Sequence, residues 1–258
     1  MNRTSDITHK MPSTRRIRLL DTVRGVMVIY MIYYHTLFDL GFIFGKGWAR
    51  DQFDAQPFSQ MIIGCTFVFI AGLTIRFSRN AALHGAKLLL IAYAMSLITG
   101  WIMYGQGIYF GVLHLLAVCM LIYAVIGKVL DRIHWLPGAL VCLALYVCTY
   151  WVPYGFFGIK GLLKLPVPPE LTVGSRLYYF GFVNASFSSA DFYPLLPWMF
   201  LFLCGCFIGR FLEREDLPEF LFRDYCPALT FIGRHSLAIY LIHQPVLYAI
   251  CSILTGIF

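Results

Sequence analysis

Ionisable side chains stand inside an apolar stretch near the start of the chain. Leu20-Asp21-Thr22-Val23-Arg24-Gly25 leads through apolar residues to His35-Thr36-Leu37-Phe38-Asp39. His35 follows Arg24 by eleven residues, about 20° from a whole number of helical turns, so both fall on one helix face. Asp21 and Arg24 are i and i+3, and His35 and Asp39 are i and i+4, which extends the same stripe. At about 1.5 Å per residue, His35 lies roughly 16 Å beyond Arg24, near the midplane of a bilayer. An imidazole beside a carboxylate is the equipment of proton transfer. The carboxylate fixes the tautomer and stabilises the imidazolium, and the imidazole takes a proton from a nucleophile. The alternative is a polar pair that clips one membrane helix to another.

Other polar residues fall in similar surroundings. His114 follows Gly111-Val112-Leu113, and His243 follows Ser236 and Tyr240 at i+7 and i+3 on one face of the last apolar run. An interhelical hydrogen bond accounts for each histidine alone. The run Ser188-Ser189-Ala190-Asp191-Phe192-Tyr193-Pro194-Leu195-Leu196-Pro197-Trp198 opens another span. Asp191 there reads as a helix cap or as a ligand contact at the outer mouth, with Tyr193 and Trp198. Arg76, Arg79 and Lys87 form a cationic patch suited to the phosphates of a soluble ligand, although topology alone also explains it. The eight cysteines mostly sit in apolar runs, and Cys204-x-Cys206 has no second Cys/His pair at zinc spacing. No metal is expected.

The elements that must hold these groups are membrane helices. Apolar residues make up 59% and charged residues 13% of the 258 residues, and the mean hydropathy is +0.73, which excludes an ordinary soluble domain. Seven windows are long and apolar enough to span a bilayer: 23–45, 57–76, 86–104, 107–128, 136–153, 192–211 and 236–256. The expected fold is all-α, a polytopic membrane helical bundle of about seven or more helices, in one domain over 1–258 with a flexible cytoplasmic tail at 1–17. The basic start resembles a signal peptide, but the following run is too long and lacks a small-residue cleavage site, so it reads as an uncleaved first span.

Seven spans put the termini on opposite sides. With the N-terminus inside, fifteen of the 20 Lys and Arg fall in inner segments, and only Lys46, Arg50, Lys160, Lys164 and Arg176 fall outside. This is the positive-inside pattern, which accounts for the net charge of +7 without nucleic acid. It places the protein in a cell (inner) membrane with the N-terminus cytoplasmic and the C-terminus extracytoplasmic. The long outer segment 154–191 is rich in Pro, Gly and aromatics such as Tyr178-Tyr179-Phe180. It reads either as a sugar-stacking loop or as an interfacial aromatic belt.

Arg24-x10-His35 preceded by Leu20-Asp21 resembles the signature of the acyltransferase family 3 superfamily. The run Arg18-Leu19-Leu20-Asp21-Thr22-Val23-Arg24-Gly25 resembles the related heparan-alpha-glucosaminide N-acetyltransferase catalytic-domain family. Phe67-Val68-Phe69-Ile70-Ala71-Gly72, Gly111-Val112-Leu113-His114 and Gly233-x-x-Ser236-Leu237-x-x-Tyr240-x-x-His243 resemble its second-, fourth- and last-helix motifs, and Asp191-Phe192-Tyr193-Pro194-Leu195-Leu196-Pro197-Trp198 resembles a motif of its bacterial members, all in order along the chain. The lysosomal relatives carry Asn where His35 stands and place a histidine in the loop after the first helix. Here residues 46–60 contain none.

The resemblance implies transfer of an acetyl or short acyl group from cytoplasmic acetyl-CoA or another acyl-CoA to a sugar or glycan amine or hydroxyl on the far side. On that expectation His35 is the base or acyl carrier and Asp39 orients it. Arg24, Arg76 and Arg79 hold CoA phosphates, His243 lies by the donor, and His114, Tyr240, Asp191, Tyr193 and Trp198 line the acceptor side. The lipid bilayer and a second copy of the chain, as a homodimer, are the other partners considered. A proton-coupled small-solute transporter using His35 and Asp39 as a relay is the rival reading.

Overall fold

The structure is a computed structural model that describes residues 16–102, 107–214 and 216–256. Residues 1–15 of the expected tail, and 103–106 at the end of the third window, lie outside the described residues. The chain is mostly helical: α1 (Arg18–Phe38), a π turn (Asp39–Ile43), α2 (Gly47–Asp54), α3 (Ser59–Ile75), α4 (Ala81–Ile102), α5 (Val112–Leu130), α6 (Trp135–Thr149), the short α7 (Pro169–Thr172), α8 (Leu195–Gly209), α9 (Pro227–Arg234) and α10 (Ser236–Thr255). Among the described residues, six helical segments are long and apolar enough to cross a membrane. A seventh span results if α2 and α3, bent by 59° at their junction, count as one. This is the polytopic helical bundle read from the hydropathy pattern.

Two compact units divide the chain. The described residues of Met1–Gln60 and Leu212–Phe258 form one, and Met61–Phe211 forms the other.

In the first unit α1 lies against α9 and α10. Glycine permits the approach. A Cβ on Gly25 would run into the Leu229 carbonyl, and a Cβ on Gly233 would run into the Asp21 carbonyl and reach 2.9 Å from the Gly25 nitrogen. Small residues serve this purpose between membrane helices, where tight backbone approach replaces a hydrophobic driving force. On the other side, Phe53 of α2 packs on the rings of Tyr34 (4.8 Å), Phe38 (5.7 Å) and Phe42 (5.2 Å). The Arg50 guanidinium lies over Phe42 at 5.1 Å. Residues 46–56, which lie between the first two apolar windows, therefore include a helix held by aromatic contacts.

In the second unit α3 and α8 approach by the same device. Gly72 faces the Phe202 carbonyl, and Gly205 faces the Phe69 carbonyl. Phe202, Leu115, Val68, Cys119 and Cys206 form its driest core. The segment expected as a long loop carries a hairpin, β1 (Phe156–Ile159) paired antiparallel with β2 (Leu163–Pro166). Lys160 and Lys164 lie over the rings of Trp151 (5.4 Å) and Phe156 (5.2 Å), an aromatic-cationic pairing suited to a headgroup interface.

The glycine contacts define a stability test. Gly233→Ala is expected to destabilise the protein by about 1–3 kcal/mol, the usual cost of overpacking. Gly47→Ala, where a Cβ meets nothing within 4 Å, is expected to leave stability unchanged or slightly raised. Thermal unfolding in detergent, followed side by side for both variants, checks the contrast.

Candidate functional site

The stripe on α1 begins with a cluster of charges. Asp21 is buried, and its carboxylate accepts from Arg16 Nη2 at 2.9 Å and Arg24 Nη1 at 3.4 Å, with Arg234 Nε at 3.7 Å. Three guanidinium groups around one carboxylate leave an excess of positive charge at this end of the unit. The hydrogen bond to Asp21 also raises the Arg16 pKa above its ordinary value, against a smaller opposing effect of burial. Beside the cluster, the Thr22 and Thr230 hydroxyls are 3.0 Å apart, and Thr230 donates to Asp224 Oδ1 at 2.7 Å.

The far end of α1 brings two histidines together. The ring centroids of His35 and His243 are 4.9 Å apart. His35 is ten residues past Gly25, and His243 is ten residues past Gly233, the two glycines that touch. Ten residues of α1 rise about 15 Å from Gly25 to His35, while the ten residues from Gly233 to His243 pass a break at His235 between α9 and α10, and the two rings meet. His35 is half-buried, makes ring contacts with Tyr34 at 5.5 Å and with His243, and has no hydrogen-bond partner among the described residues. His243 is buried and donates from Nδ1 to the Tyr240 carbonyl oxygen at 2.6 Å, while its Nε2 has no partner.

Asp39 does not partner His35. It is fully buried at the start of the π turn, and its Oδ1 accepts from Gln244 Nε2 at 2.7 Å. The i and i+4 spacing does put it on the His35 face, but the carboxylate bonds to α10 instead. Asp39 Oδ2 and Gln244 Oε1 are also buried without partners. Sequence reasoning did not single out Gln244. The available signal was its position next to His243, before Pro245, in an otherwise apolar helix.

The remaining sequence-selected residues lie in the second unit. His114 is buried between rings of Tyr93 (5.1 Å, edge-on) and Phe110 (5.8 Å, stacked), with its Nε2 3.5 Å from Ser96 Oγ. Ser96 donates to the Ile108 carbonyl at 2.7 Å, so its lone pairs face the imidazole N–H. Asp191 caps a helix, but not the one that follows it in sequence. Its Oδ2 accepts from the Val112 N–H at 2.9 Å, at the first turn of α5. The neighbouring Phe110 has φ 61°, a left-handed conformation costing an L residue about 1–2 kcal/mol. It is held there as its carbonyl accepts from the Tyr193 N–H at 3.0 Å. Tyr193 is buried against Trp198 at 4.8 Å.

Arg76 pairs with Asp131 at 2.9 Å, and Arg79 is exposed. Nearby is a cleft of about 290 Å³ lined by Ala71, Thr74, Ile75, Phe77, Ser78, His84 and Met120, where Ser78 Oγ and His84 Nδ1 are 2.7 Å apart. In the outer segment, burial and the Tyr179 hydroxyl hold the Tyr178 phenol above its ordinary pKa. Among the described residues no three His, Cys, Asp or Glu side chains are grouped to hold a metal.

Helices long and apolar enough to span a membrane, two of them bringing a pair of histidines together, define a multi-pass membrane protein. The chain belongs to the heparan-alpha-glucosaminide N-acetyltransferase catalytic family, whose sequence profile matches residues 16–245. That family is one of acetyltransferases, and the apolar helices make this chain a membrane member. Neither a curated protein nor a solved structure matches the chain.

The cap at Asp191 gives a second stability test. Asp191→Ala is expected to cost roughly 0.5–2 kcal/mol, the usual range for a lost helix cap. Asp191→Asn, which keeps an oxygen toward the Val112 N–H, is expected to recover most of it. Melting in detergent with a labelled residue on α5 reads the difference.

Proposed function

We propose that the protein transfers an acetyl group from acetyl-CoA, supplied from the cytoplasmic side, to an amine or hydroxyl of a sugar on the other side of a cell membrane. The observation that carries this reading is the His35–His243 pair, brought together by two helices long and apolar enough to span a membrane in a chain of an acetyltransferase family.

The chemistry asks little beyond position and a base. A thioester is already activated, so the enzyme brings an acceptor close and removes its proton. His35, which is half-buried, is the base in this proposal. As the acceptor attacks, the new bond to the acetyl carbon forms and the carbon–sulfur bond breaks. His35 takes the acceptor's proton and delivers it to the departing thiolate, which leaves as the thiol of CoA. This role for His35 follows the Arg24-x10-His35 spacing. The phosphates of CoA are assigned to the basic side of the membrane, where the sequence places Arg24, Arg76 and Arg79. The excess positive charge around Asp21 supports Arg24 in that role.

The test is transfer of labelled acetyl from acetyl-CoA to an amino-sugar or sugar-alcohol acceptor by purified protein in liposomes. Wild-type protein is expected to form acetylated sugar in proportion to free CoA. His35→Ala is expected to slow this by about a hundredfold or more, the range of a lost general base. An unchanged rate in that variant overturns the assignment.

A further inference from the structure

We propose that His243 is the positioning residue for His35: its Nε2 lone pair receives the N–H of His35 and so fixes which His35 nitrogen is left as the base. The proposal rests on the reading of His35 given above. It gives His243 the place that the sequence alone suggests for Asp39.

The first argument is the tautomer of His243. A carbonyl oxygen carries no proton, so at 2.6 Å from the Tyr240 oxygen the His243 Nδ1 must be the donor. A neutral imidazole has one N–H. Nε2 is therefore the lone-pair nitrogen, and it is buried with no partner. Buried polar atoms without partners are rare and call for an explanation.

The second argument is what faces this ring. His35 packs on it at 4.9 Å between centroids, with the planes inclined by 56°. A hydrogen bond of roughly 3 Å between ring nitrogens puts two imidazole centroids at about this spacing. The rings therefore stand at the spacing that such a bond requires. The other rings at the pair are Tyr34, edge-on to His35 at 5.5 Å, and Tyr240, 5.5 Å from His243. Asp39 is committed elsewhere, to Gln244.

The consequence is directional. With one N–H of His35 held by His243, the opposite nitrogen carries the lone pair and faces away from α10. That nitrogen takes the acceptor's proton. The charge that forms is then shared across the pair, through a hydrogen bond already in place.

Two substitutions separate this role from packing. His243→Asn keeps a side-chain N–H within reach of the Tyr240 carbonyl and removes the atom at Nε2. His243→Gln keeps a hydrogen-bonding group near the Nε2 position. His243→Asn is expected to lower kcat by about a hundredfold, with KM for acetyl-CoA and acceptor within about twofold, and His243→Gln to retain more activity than Asn. An independent readout is ¹⁵N-imidazole NMR of protein labelled at histidine, with signals assigned by their loss in His35→Asn and His243→Asn. His243 is expected as the Nδ1–H tautomer, and His35 as a single tautomer that becomes a mixture in His243→Asn. Wild-type kcat in His243→Asn, or a mixed His35 tautomer in wild-type protein, overturns the proposal. If wild-type protein transfers no acetyl group, the functional reading fails while the NMR signals still decide the pairing.

Discussion

The arrangement depends on one close approach, that of α1 to α9 through Gly25 and Gly233. Side chains at either position would push the helices apart, and every group further along α1 would lose its level relative to α10. Each glycine stands ten residues before its histidine, along α1 on one side and across the break at His235 from α9 into α10 on the other. The contact sets His35 against His243. Catalytic geometry tolerates little slack, and two helices packed backbone to backbone provide a stiff frame for it.

Hydrocarbon gives polar groups nothing to bond to, so each one in the first unit shows what it is for by its partner. Asp21 is wrapped by arginines and is part of the frame. The Thr22–Thr230 contact ties α1 to α9 in the same region. Asp39 and Gln244 satisfy each other through one atom each, and then Asp39 Oδ2, Gln244 Oε1 and His243 Nε2 are left over. All three are acceptors. The proposed bond from His35 takes up His243 Nε2, and Asp39 Oδ2 and Gln244 Oε1 remain as acceptors beside the pair. The π turn beginning at Asp39 fits this picture, because such turns are frequent where a helix is distorted for function.

The fold was legible because bilayer thickness imposes a length and a composition that seven windows satisfy. The stripe on α1 was legible because helical periodicity fixes which residues share a face. Sequence does not reveal what the stripe faces. Asp39 shares a face with His35, yet its carboxylate bonds to Gln244, a choice made by the packing of α10. Asp191 reads as the cap of the helix it precedes, and it caps α5 instead, because the chain doubles back past Phe110. Helix α2 is short and polar on average, so no hydropathy window finds it; Phe53 and its three aromatic neighbours hold it in place. The hairpin in 154–191 was hidden by its prolines and glycines, which punctuate strands as readily as they mark loops.

The way the tautomer is fixed bears on why such a pair suits a membrane. In hydrolase triads a carboxylate holds Nδ1 of the base. A carboxylate deep in hydrocarbon costs about 2.5–3.5 kcal/mol on insertion scales, and it must be neutralised in turn. The Tyr240 carbonyl holds Nδ1 of His243 with no added charge. A carbonyl accepts a hydrogen bond without taking up the proton, so the tautomer stays fixed through a turnover. Pro245 lacks the N–H that the Leu241 carbonyl would otherwise accept, which loosens the helical ladder beside this contact. The lone pair at Nε2 then follows from backbone geometry. In the proposed pairing a second imidazole, rather than an acid, is the group beside the base, and directionality comes from neutral partners where ionised ones would be expensive.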